Sequence, residues 1–301
     1  MKILGRLSLA AMVDAYATIM FGSWTRINGA GMTCPDWPAC RGQLIPSLAD
    51  GTMWEWTHRL LAFLLIPLVL GVLVAAWAQR RRSPFVMPVG WAIVALFIVQ
   101  VLLGAETVHL SNSPPSVVLH WGTGMAFIGA LAGMAIFAWE GERGQAGTPA
   151  AGVLLGALAG TALIAFVTMC VGAYVSSSGA GLACLSIPGC AGSVVVYSPG
   201  QYVQMLHRFL AGAALLSAVG SGALAWALPA SARVRIAASI GVLLIFVQVL
   251  LGLLNVALRL PMDLREAHAA NAALTFLTFV VAAIFALAET YAARPQKVRA
   301  R

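Results

Sequence analysis

The chain has 301 residues, of which 60% are hydrophobic and only 9% are charged, and its formal net charge is +8. Soluble proteins average about 25% charged residues, so this composition excludes a water-soluble globular domain. Apolar runs of about 20 residues can cross the hydrocarbon core of a bilayer as helices. The composition therefore predicts an all-α integral membrane protein.

Eight such runs follow one another along the chain, and each predicts a transmembrane helix. They lie at 7–24, 57–78, 86–108, 117–139, 151–174, 202–228, 235–257 and 267–290. With the amino terminus inside, the inner side receives 12 of the 18 basic residues, namely Lys2, Arg6, Arg80, Arg81, Arg82, Arg143, Arg233, Arg235, Arg294, Lys297, Arg299 and Arg301. The positive-inside rule then places both termini in the cytoplasm and the cysteine-containing loops outside. This topology explains the net positive charge, so no nucleic-acid partner is required.

The loop after the first helix and the start of the second helix carry the most distinctive residues. Cys34 and Cys40 lie in the loop, and Glu55 and His58 follow three residues apart, on one face of a helix. A carboxylate at this position can relay protons or stabilise a developing positive charge. It can equally be an acidic residue that the helix dipole favours in a first turn. The residues alone leave both interpretations of Glu55 open.

The second half of the chain repeats the first at an offset of 148 to 150 residues. The matched segments are Gly29–Cys34 with Gly179–Cys184, Cys40 with Cys190, His58–Ala62 with His207–Ala211, Val99–Gly104 with Val247–Gly252, and His120 with His268. Such a duplication predicts two pseudo-symmetric four-helix bundles. The first comprises residues 1–140 and the second residues 150–301, joined by a cytoplasmic linker at 141–149.

Four histidines occupy equivalent places in this plan. His58, His120, His207 and His268 lie near the starts of helices two, four, six and eight, at one depth in the membrane. A single histidine near a helix end is usually an interfacial residue, but polar groups at membrane depth are costly and tend to be functional. Two imidazoles on facing helices suit bis-histidine ligation of haem iron, whereas structural zinc prefers four ligands. The pattern predicts one haem site in each half.

The other cysteines and acidic residues add two further expectations. Cys184 and Cys190 repeat the spacing of the first pair, and outward loops in an oxidising compartment predict disulfides Cys34–Cys40 and Cys184–Cys190. A structural clip and electron exchange with the neighbouring haem both remain open as roles for them. Gln204 aligns with Glu55, which indicates a reactive site in the first half and an electron-transfer site in the second. Glu106, near the outer end of helix three, is a candidate to supplement Glu55.

These features together carry a family resemblance. The segments Thr25–Gly31 and Cys34–Gly42, the Glu55–Arg59 motif and the duplicated eight-helix plan resemble haem A synthase, a membrane enzyme that serves cytochrome oxidase assembly. The resemblance implies oxidation of a porphyrin methyl group of haem O to the formyl group of haem A, through hydroxylated intermediates. It also implies that His58 and His120 hold the substrate haem O, that His207 and His268 hold haem b, and that Glu55 is needed for catalysis.

The same resemblance implies surroundings and partners for the protein. It implies a multi-pass protein in the bilayer of the cell (inner) membrane, with haem O synthase as substrate donor and with cytochrome oxidase assembly factors. The electron donor is not identified by the sequence, and a homo-oligomer is an open alternative. The competing interpretations are a diheme b-type cytochrome that only transfers electrons, and a haem transporter or chaperone. The cytochrome gives no reason for the replacement of Glu55 by Gln204 in the second half, and a transporter or chaperone predicts exchangeable haem and no chemistry.

Overall fold

The computed structural model describes residues 1–143, 152–190 and 192–292, which fold into eight long α-helices. They are α1 (Lys2–Ile27), α2 (Thr52–Gln79), α3 (Val86–His109), α4 (Pro114–Arg143), α5 (Gly152–Ser177), α6 (Pro199–Ala227), α7 (Ala232–Ala257) and α8 (Met262–Ala292), with a 3₁₀ turn at Ala180–Leu182. All eight are long and apolar enough to cross a membrane. The predicted all-α membrane protein with eight spanning helices is confirmed.

Several helices extend beyond the predicted apolar runs. α2 begins at Thr52 rather than at residue 57, and α8 begins at Met262 rather than at residue 267. Polar residues such as Glu55 and Asp263 lie in these first turns. They lower the local hydropathy, but the backbone hydrogen bonds continue through them. The four histidines consequently lie about two turns inside their helices, deeper than the sequence predicts.

The predicted linker differs in the same way. α4 continues to Arg143, so residues 141–143 of the predicted linker are helical. Residues 144–149 of that linker lie outside the described residues, as do the four basic positions counted after residue 292.

The helices pack as two rings of four neighbours. In the first ring α1 packs on α2, α2 on α3, α3 on α4 and α4 on α1, and helices α5 to α8 repeat this order. The rings meet where α4 contacts α5 and α8, and where α1 contacts α8. Glycines let α4 approach closely, since Gly129 and Gly133 face Phe276, Val280 and Ile284 of α8. In its most apolar window α4 is 67% buried, against at most 33% in the other seven helices.

Serine caps define where two helices of the second ring begin. The Ser198 side chain accepts a hydrogen bond from the backbone N–H of Gln201, and Pro199 occupies the first turn of α6. Ser231 caps α7 in the same way through the N–H of Val234. Such caps satisfy backbone donors that a helix start leaves unpaired. The cap at Ser198 thereby fixes the register of α6, the helix that carries His207.

Candidate functional site

A cavity of about 390 Å³ lies among helices α1 to α4 of the first ring. This volume is within the range of about 300–1,000 Å³ that is usual for small-molecule sites. Its wall is mostly apolar and includes a few polar side chains, among them Glu55, His58 and His120. Trp37 and Pro38 from the first cysteine loop also line it. The first half therefore brings two of the predicted haem ligands and the predicted catalytic carboxylate to one enclosed space.

His58 and His207 are held in the same way in the two halves. Nδ1 of His58 lies 2.8 Å from the carbonyl oxygen of Thr18, and Nδ1 of His207 lies 3.2 Å from that of Thr168. An imidazole that donates Nδ1–H to a backbone carbonyl keeps Nε2 unprotonated, which is the usual state of a metal-ligating histidine. Both rings are thus oriented as ligands that use Nε2.

Glycines of the neighbouring helices leave the space that all four imidazole rings occupy, and we call these four positions, Gly22, Gly104, Gly172 and Gly252, the glycine seats. A Cβ atom added at Gly22 would lie 2.6 Å from Cε1 of His58, and one at Gly172 would lie 2.8 Å from Cε1 of His207. The same arrangement holds Gly104 against His120 at 3.1 Å and Gly252 against His268 at 3.2 Å. Any larger residue at these positions would push the imidazole away.

His120 and His268 face glutamines and retain a buried nitrogen without a partner. Nε2 of His120 lies 3.5 Å from Nε2 of Gln100, and Nε2 of His268 lies 3.1 Å from Nε2 of Gln248. Nδ1 of each ring is buried and has no hydrogen-bond partner among the residues that the structure describes. Buried polar atoms are rarely left unsatisfied. A ring flip exchanges each nitrogen with a ring carbon, so the atom that faces a given neighbour is an assignment. Each of these rings therefore has a nitrogen available for a bound group.

The spacing of the rings fits a metal ion between them in the second half. The centroids of His207 and His268 are 6.3 Å apart. Two metal–imidazole bonds of about 2.0 Å and two ring radii of about 1.1 Å place the centroids of opposed ligands about 6 Å apart. In the described part of the chain, no group of three or more His, Cys, Asp or Glu residues is arranged to hold a metal ion. The residues present fit a haem with two axial imidazoles better than a zinc ion.

The predicted cysteine pairs lie at disulfide distance. The Cα atoms are 4.5 Å apart for Cys34–Cys40 and 4.6 Å apart for Cys184–Cys190. Cys40 pairs with Gln43 through two backbone hydrogen bonds, so each loop closes as a compact turn, and the second loop repeats this. Cys170, the fifth cysteine, is free.

Glu55 and Gln204 tie these loops to the helices. The Glu55 carboxylate accepts hydrogen bonds from the N–H of Cys34 at 2.9 Å and from the Thr33 hydroxyl at 3.0 Å, and it pairs with Arg59 at 2.8 Å. Gln204 accepts the N–H of Cys184 at 2.5 Å and donates to the carbonyl of Gly181 at 2.7 Å. Both side chains are buried. An amide can therefore replace the carboxylate as an anchor for the loop, but it carries no charge.

Arg59 and Arg208 complete the attachment of the loops. Arg59 donates to the carbonyl oxygens of Asp36, Ala39 and Cys34 as well as to Glu55. Arg208 does the same for the second loop, donating to the carbonyls of Ser186, Pro188, Gly189 and Cys184. The repeated His-Arg pair thus has two separate roles, in which the histidine faces the bundle and the arginine holds the disulfide loop over it.

Asp36 stabilises the turn at the surface of the first loop. Its carboxylate accepts the backbone N–H of Gly42 at 2.8 Å and also that of Arg41. These hydrogen bonds, led by the one from Gly42, hold the pKa of Asp36 below its usual range. Asp36 is thus charged at neutral pH.

Two acidic residues of the first half lie away from the cavity wall. Glu106, the candidate to supplement Glu55, is exposed on α3 and does not line the cavity. Asp14 lies within α1, and its Oδ2 atom is buried without a hydrogen-bond partner in the described ranges. His109, one residue beyond the predicted apolar run 86–108, is the exposed last residue of α3.

Sequence reasoning missed the residues that hold the four rings. The carbonyl of Thr18 and the missing side chain of Gly22 position His58, and the amide of Gln100 faces His120. A search for metal-ligand residues identifies none of these three groups. A signal was available, because all three recur at the offset of the duplication as Thr168, Gly172 and Gln248.

Comparison with known proteins gives a consistent result. A family model described as cytochrome oxidase assembly protein matches residues 5–280. A protein of Exiguobacterium sp. named heme A synthase is 28% identical over 66% of this chain and 65% of its own length. One of the same name from Shewanella oneidensis is 27% identical over 89% of this chain and 92% of its own length. A Halobacterium salinarum protein named protoheme IX farnesyltransferase is 30% identical over 47% of this chain and 30% of its own length.

The family match covers all four histidines, both cysteine pairs and Glu55. The chain spans just under two thirds of the Exiguobacterium relative and nearly all of the Shewanella one. With a family model that covers most of its length, the chain belongs to the haem A synthase family of cytochrome oxidase assembly proteins.

Proposed function

We propose that this protein is a haem A synthase that oxidises the porphyrin methyl group of haem O to the formyl group of haem A through hydroxylated intermediates. The observation that carries the proposal is the cavity of the first half, whose wall contains His58, His120 and the buried carboxylate of Glu55. The corresponding position of the second half is the neutral Gln204, which supports a division between a reactive site and a site that only transfers electrons.

In this proposal His58 and His120 hold the substrate haem O, and His207 and His268 hold a resident haem b. The 6.3 Å spacing of the second pair supports a single iron between them. A bound haem b supplies reversible one-electron transfer at its iron. The chain's own contribution is to fix the rings, through the Thr18 and Thr168 carbonyls and the glycine seats, and to exclude water with the apolar wall.

Glu55 is the proposed catalytic residue. Three donors surround its carboxylate, namely the N–H of Cys34, the Thr33 hydroxyl and the Arg59 guanidinium. An anion there can accept the proton that leaves the methyl carbon, or stabilise positive charge that develops beside it. The hydrogen bond to the N–H of Cys34 also couples its position to the disulfide loop, so the loop orients the carboxylate toward the cavity.

The proposed setting follows from the charges and the relatives. Both termini lie in the cytoplasm and both disulfide loops lie on the outer side of the cell (inner) membrane, as the distribution of basic residues predicts. The Halobacterium relative carries the name of a haem farnesyltransferase, which supports haem O synthase as the source of the substrate. Cytochrome oxidase assembly factors and a separate electron-transfer partner complete this proposal, and a homo-oligomer is one form the protein can take.

The test is to purify the protein from cells that also make haem O and to identify the extracted haems by chromatography and mass. We expect haem A or its hydroxylated precursor beside haem b. Glu55→Gln should lower product formation by at least about 100-fold, the lower range for a lost acid–base group. The loop should stay in place, because Gln204 holds the equivalent loop through its amide.

Glu106→Gln is the matched control, because it makes the same chemical change at an exposed residue outside the cavity. It should leave the products unchanged. Haem b alone, with haem O present and unaltered, would indicate a diheme cytochrome instead. Exchangeable haem O with no oxidised product would indicate a haem transporter or chaperone.

A further inference from the structure

Arg26 is a charged residue on the cavity wall that the proposed mechanism does not use. It lies in the last turn of α1, four residues after Gly22, where an added Cβ would collide with the His58 ring. Residues four apart lie on one face of a helix, about 6 Å from each other along its axis. Arg26 therefore lies on the loop side of the level at which His58 faces the cavity.

Within the described part of the chain, most N–H donors of the Arg26 guanidinium have no hydrogen-bond partner. Of five N–H donors, the structure pairs one, from Nη2 to the Ser176 hydroxyl at 3.1 Å. Among the described residues no carboxylate lies within salt-bridge distance of it, and nearby Glu266 instead accepts a hydrogen bond from Ser23 at 2.7 Å. Arg59, at the same end of the bundle, is by contrast surrounded by acceptors. A cation with free donors on an otherwise apolar wall is suited to an anionic group of a ligand.

The surrounding charges leave a positive excess at this point. Among the described residues, Arg265 and Glu266 are charged neighbours that act electrostatically on Arg26. Their charges cancel, so Arg26 contributes one uncompensated positive charge to the cavity wall. That excess matches one carboxylate.

The position also distinguishes the two halves. Arg26 donates a hydrogen bond to Ser176, and Ser176 is also the residue that aligns with Arg26 at the duplication offset of 150 residues. A residue that touches its counterpart must lie beside the pseudo-two-fold axis that relates the halves. At this axis the first half has a cation and the second half has a hydroxyl, so only the first half offers a charged anchor.

We propose that Arg26 binds a propionate carboxylate of the substrate haem. The inference rests on the proposed function, because it requires a haem in the first-half cavity. The two propionates of a haem lie on one edge of the macrocycle, so an anchor at Arg26 directs that edge toward the outer loops. It also prevents rotation of the macrocycle about the axis through the two histidines, and this fixes which methyl group is presented to Glu55. Arg26 is thus a binding residue that determines which position of the porphyrin reacts.

The test compares binding of iron protoporphyrin IX with binding of its dimethyl ester, in which both propionates are neutral. The signal for binding to the first half is the part of the low-spin haem absorption that disappears in His58→Ala. We expect the unchanged protein to prefer the free acid by about tenfold or more, as for a charge-assisted pair. Arg26→Gln should abolish this preference by weakening the acid and not the ester, and Arg26→Lys should retain part of it.

Arg259→Gln is the control, because it removes a positive charge from the exposed α7–α8 loop outside the cavity. It should keep the wild-type preference. An Arg26→Gln protein that still prefers the free acid would overturn the inference. The inference would also be overturned if Arg26→Gln removed the preference only at the second-half site, whose low-spin absorption is the one that His268→Ala removes. Absence of any His58-dependent binding in the unchanged protein would overturn the first-half haem site, and with it the proposed function.

Discussion

Gly172→Ala should displace His207, a proposed haem ligand, without changing any of the proposed ligand residues. Gly172 on α5 faces His207 on α6, and an added Cβ would lie 2.8 Å from Cε1 of the ring. Carbon atoms in contact prefer about 3.5–4.0 Å, so the ring must retreat by roughly 1 Å. The Nδ1 bond to the Thr168 carbonyl is already 3.2 Å long and would be broken by that movement. Metal–ligand distances tolerate deviations of only about 0.2 Å.

The expected result is a loss of haem from the second half, with affinity reduced by about 10–100-fold, as when an orienting contact of a metal ligand is removed. The assay is the haem content and low-spin absorption of the purified protein. Gly212→Ala, on α6, is the control, since nothing lies within 4 Å of the added Cβ. Gly252→Ala, at 3.2 Å from His268, should have an intermediate effect. Full haem content in Gly172→Ala would refute the assignment of His207 as an axial ligand.

Three other substitutions test the loop and the helix packing. Arg59→Gln removes the contacts that hold the first loop, so the Cys34–Cys40 disulfide should be reduced at a lower thiol concentration. Alkylation and mass measurement follow this reduction. An unchanged thiol requirement would count against the role of Arg59 in holding the loop. The lowered pKa of Asp36 means that its charge stabilises the loop above the ordinary Asp pKa of about 3.9, and that this contribution disappears as pH falls through the lowered value. Asp36→Asn should remove this pH dependence from the hydrogen exchange of the loop amides, corrected for intrinsic rates, and a persisting dependence would assign it elsewhere. Gly241→Ala would place a Cβ 2.7 Å from the fully buried Phe279 and should lower the free energy of unfolding by about 1–3 kcal/mol, measured by thermal unfolding. Gly220→Ala is the control, because its Cβ would meet no described atom within 4 Å. An equal loss of stability in both variants would contradict overpacking as the cause.

The sequence predicted the spanning helices and the paired polar residues because both leave direct patterns. Hydropathy identified eight helices, but it began α2 and α8 too late, since Glu55 and Asp263 lower the average while the backbone stays helical. The duplication identified the four histidines and both cysteine pairs. It drew attention to Glu55 through its replacement by Gln204.

The contacts that make these residues a site depend on tertiary structure. Glu55 was expected to act at a haem or to favour the start of a helix, and the structure adds a third role as the anchor of the Cys34 loop. Arg59 was only part of a motif, although it contacts three carbonyls of that loop. Seats such as Gly22 carry no side chain, so their recurrence in the duplication marks the positions but does not indicate their function. The role of a glycine that leaves space for a neighbour, or of a residue that acts through its backbone carbonyl, is recognised only when the neighbouring helix is in place.

The two halves share the residues that hold the rings and the loops, but they differ in the charged residues at two equivalent positions. The glycine seats, the threonine carbonyls and the loop-holding arginines are present in both halves, and each of them serves only to hold a ring or a loop. The first half adds a carboxylate at Glu55 and a cation at Arg26, where the second half has Gln204 and Ser176. A resident haem needs firm ligands alone, and neutral residues that do not perturb its iron suit that role. A haem that must be recognised, oriented, oxidised and released needs charges that bind its substituents and act on one carbon. The asymmetry of these two positions is therefore the physical reason to assign the chemistry to the first half.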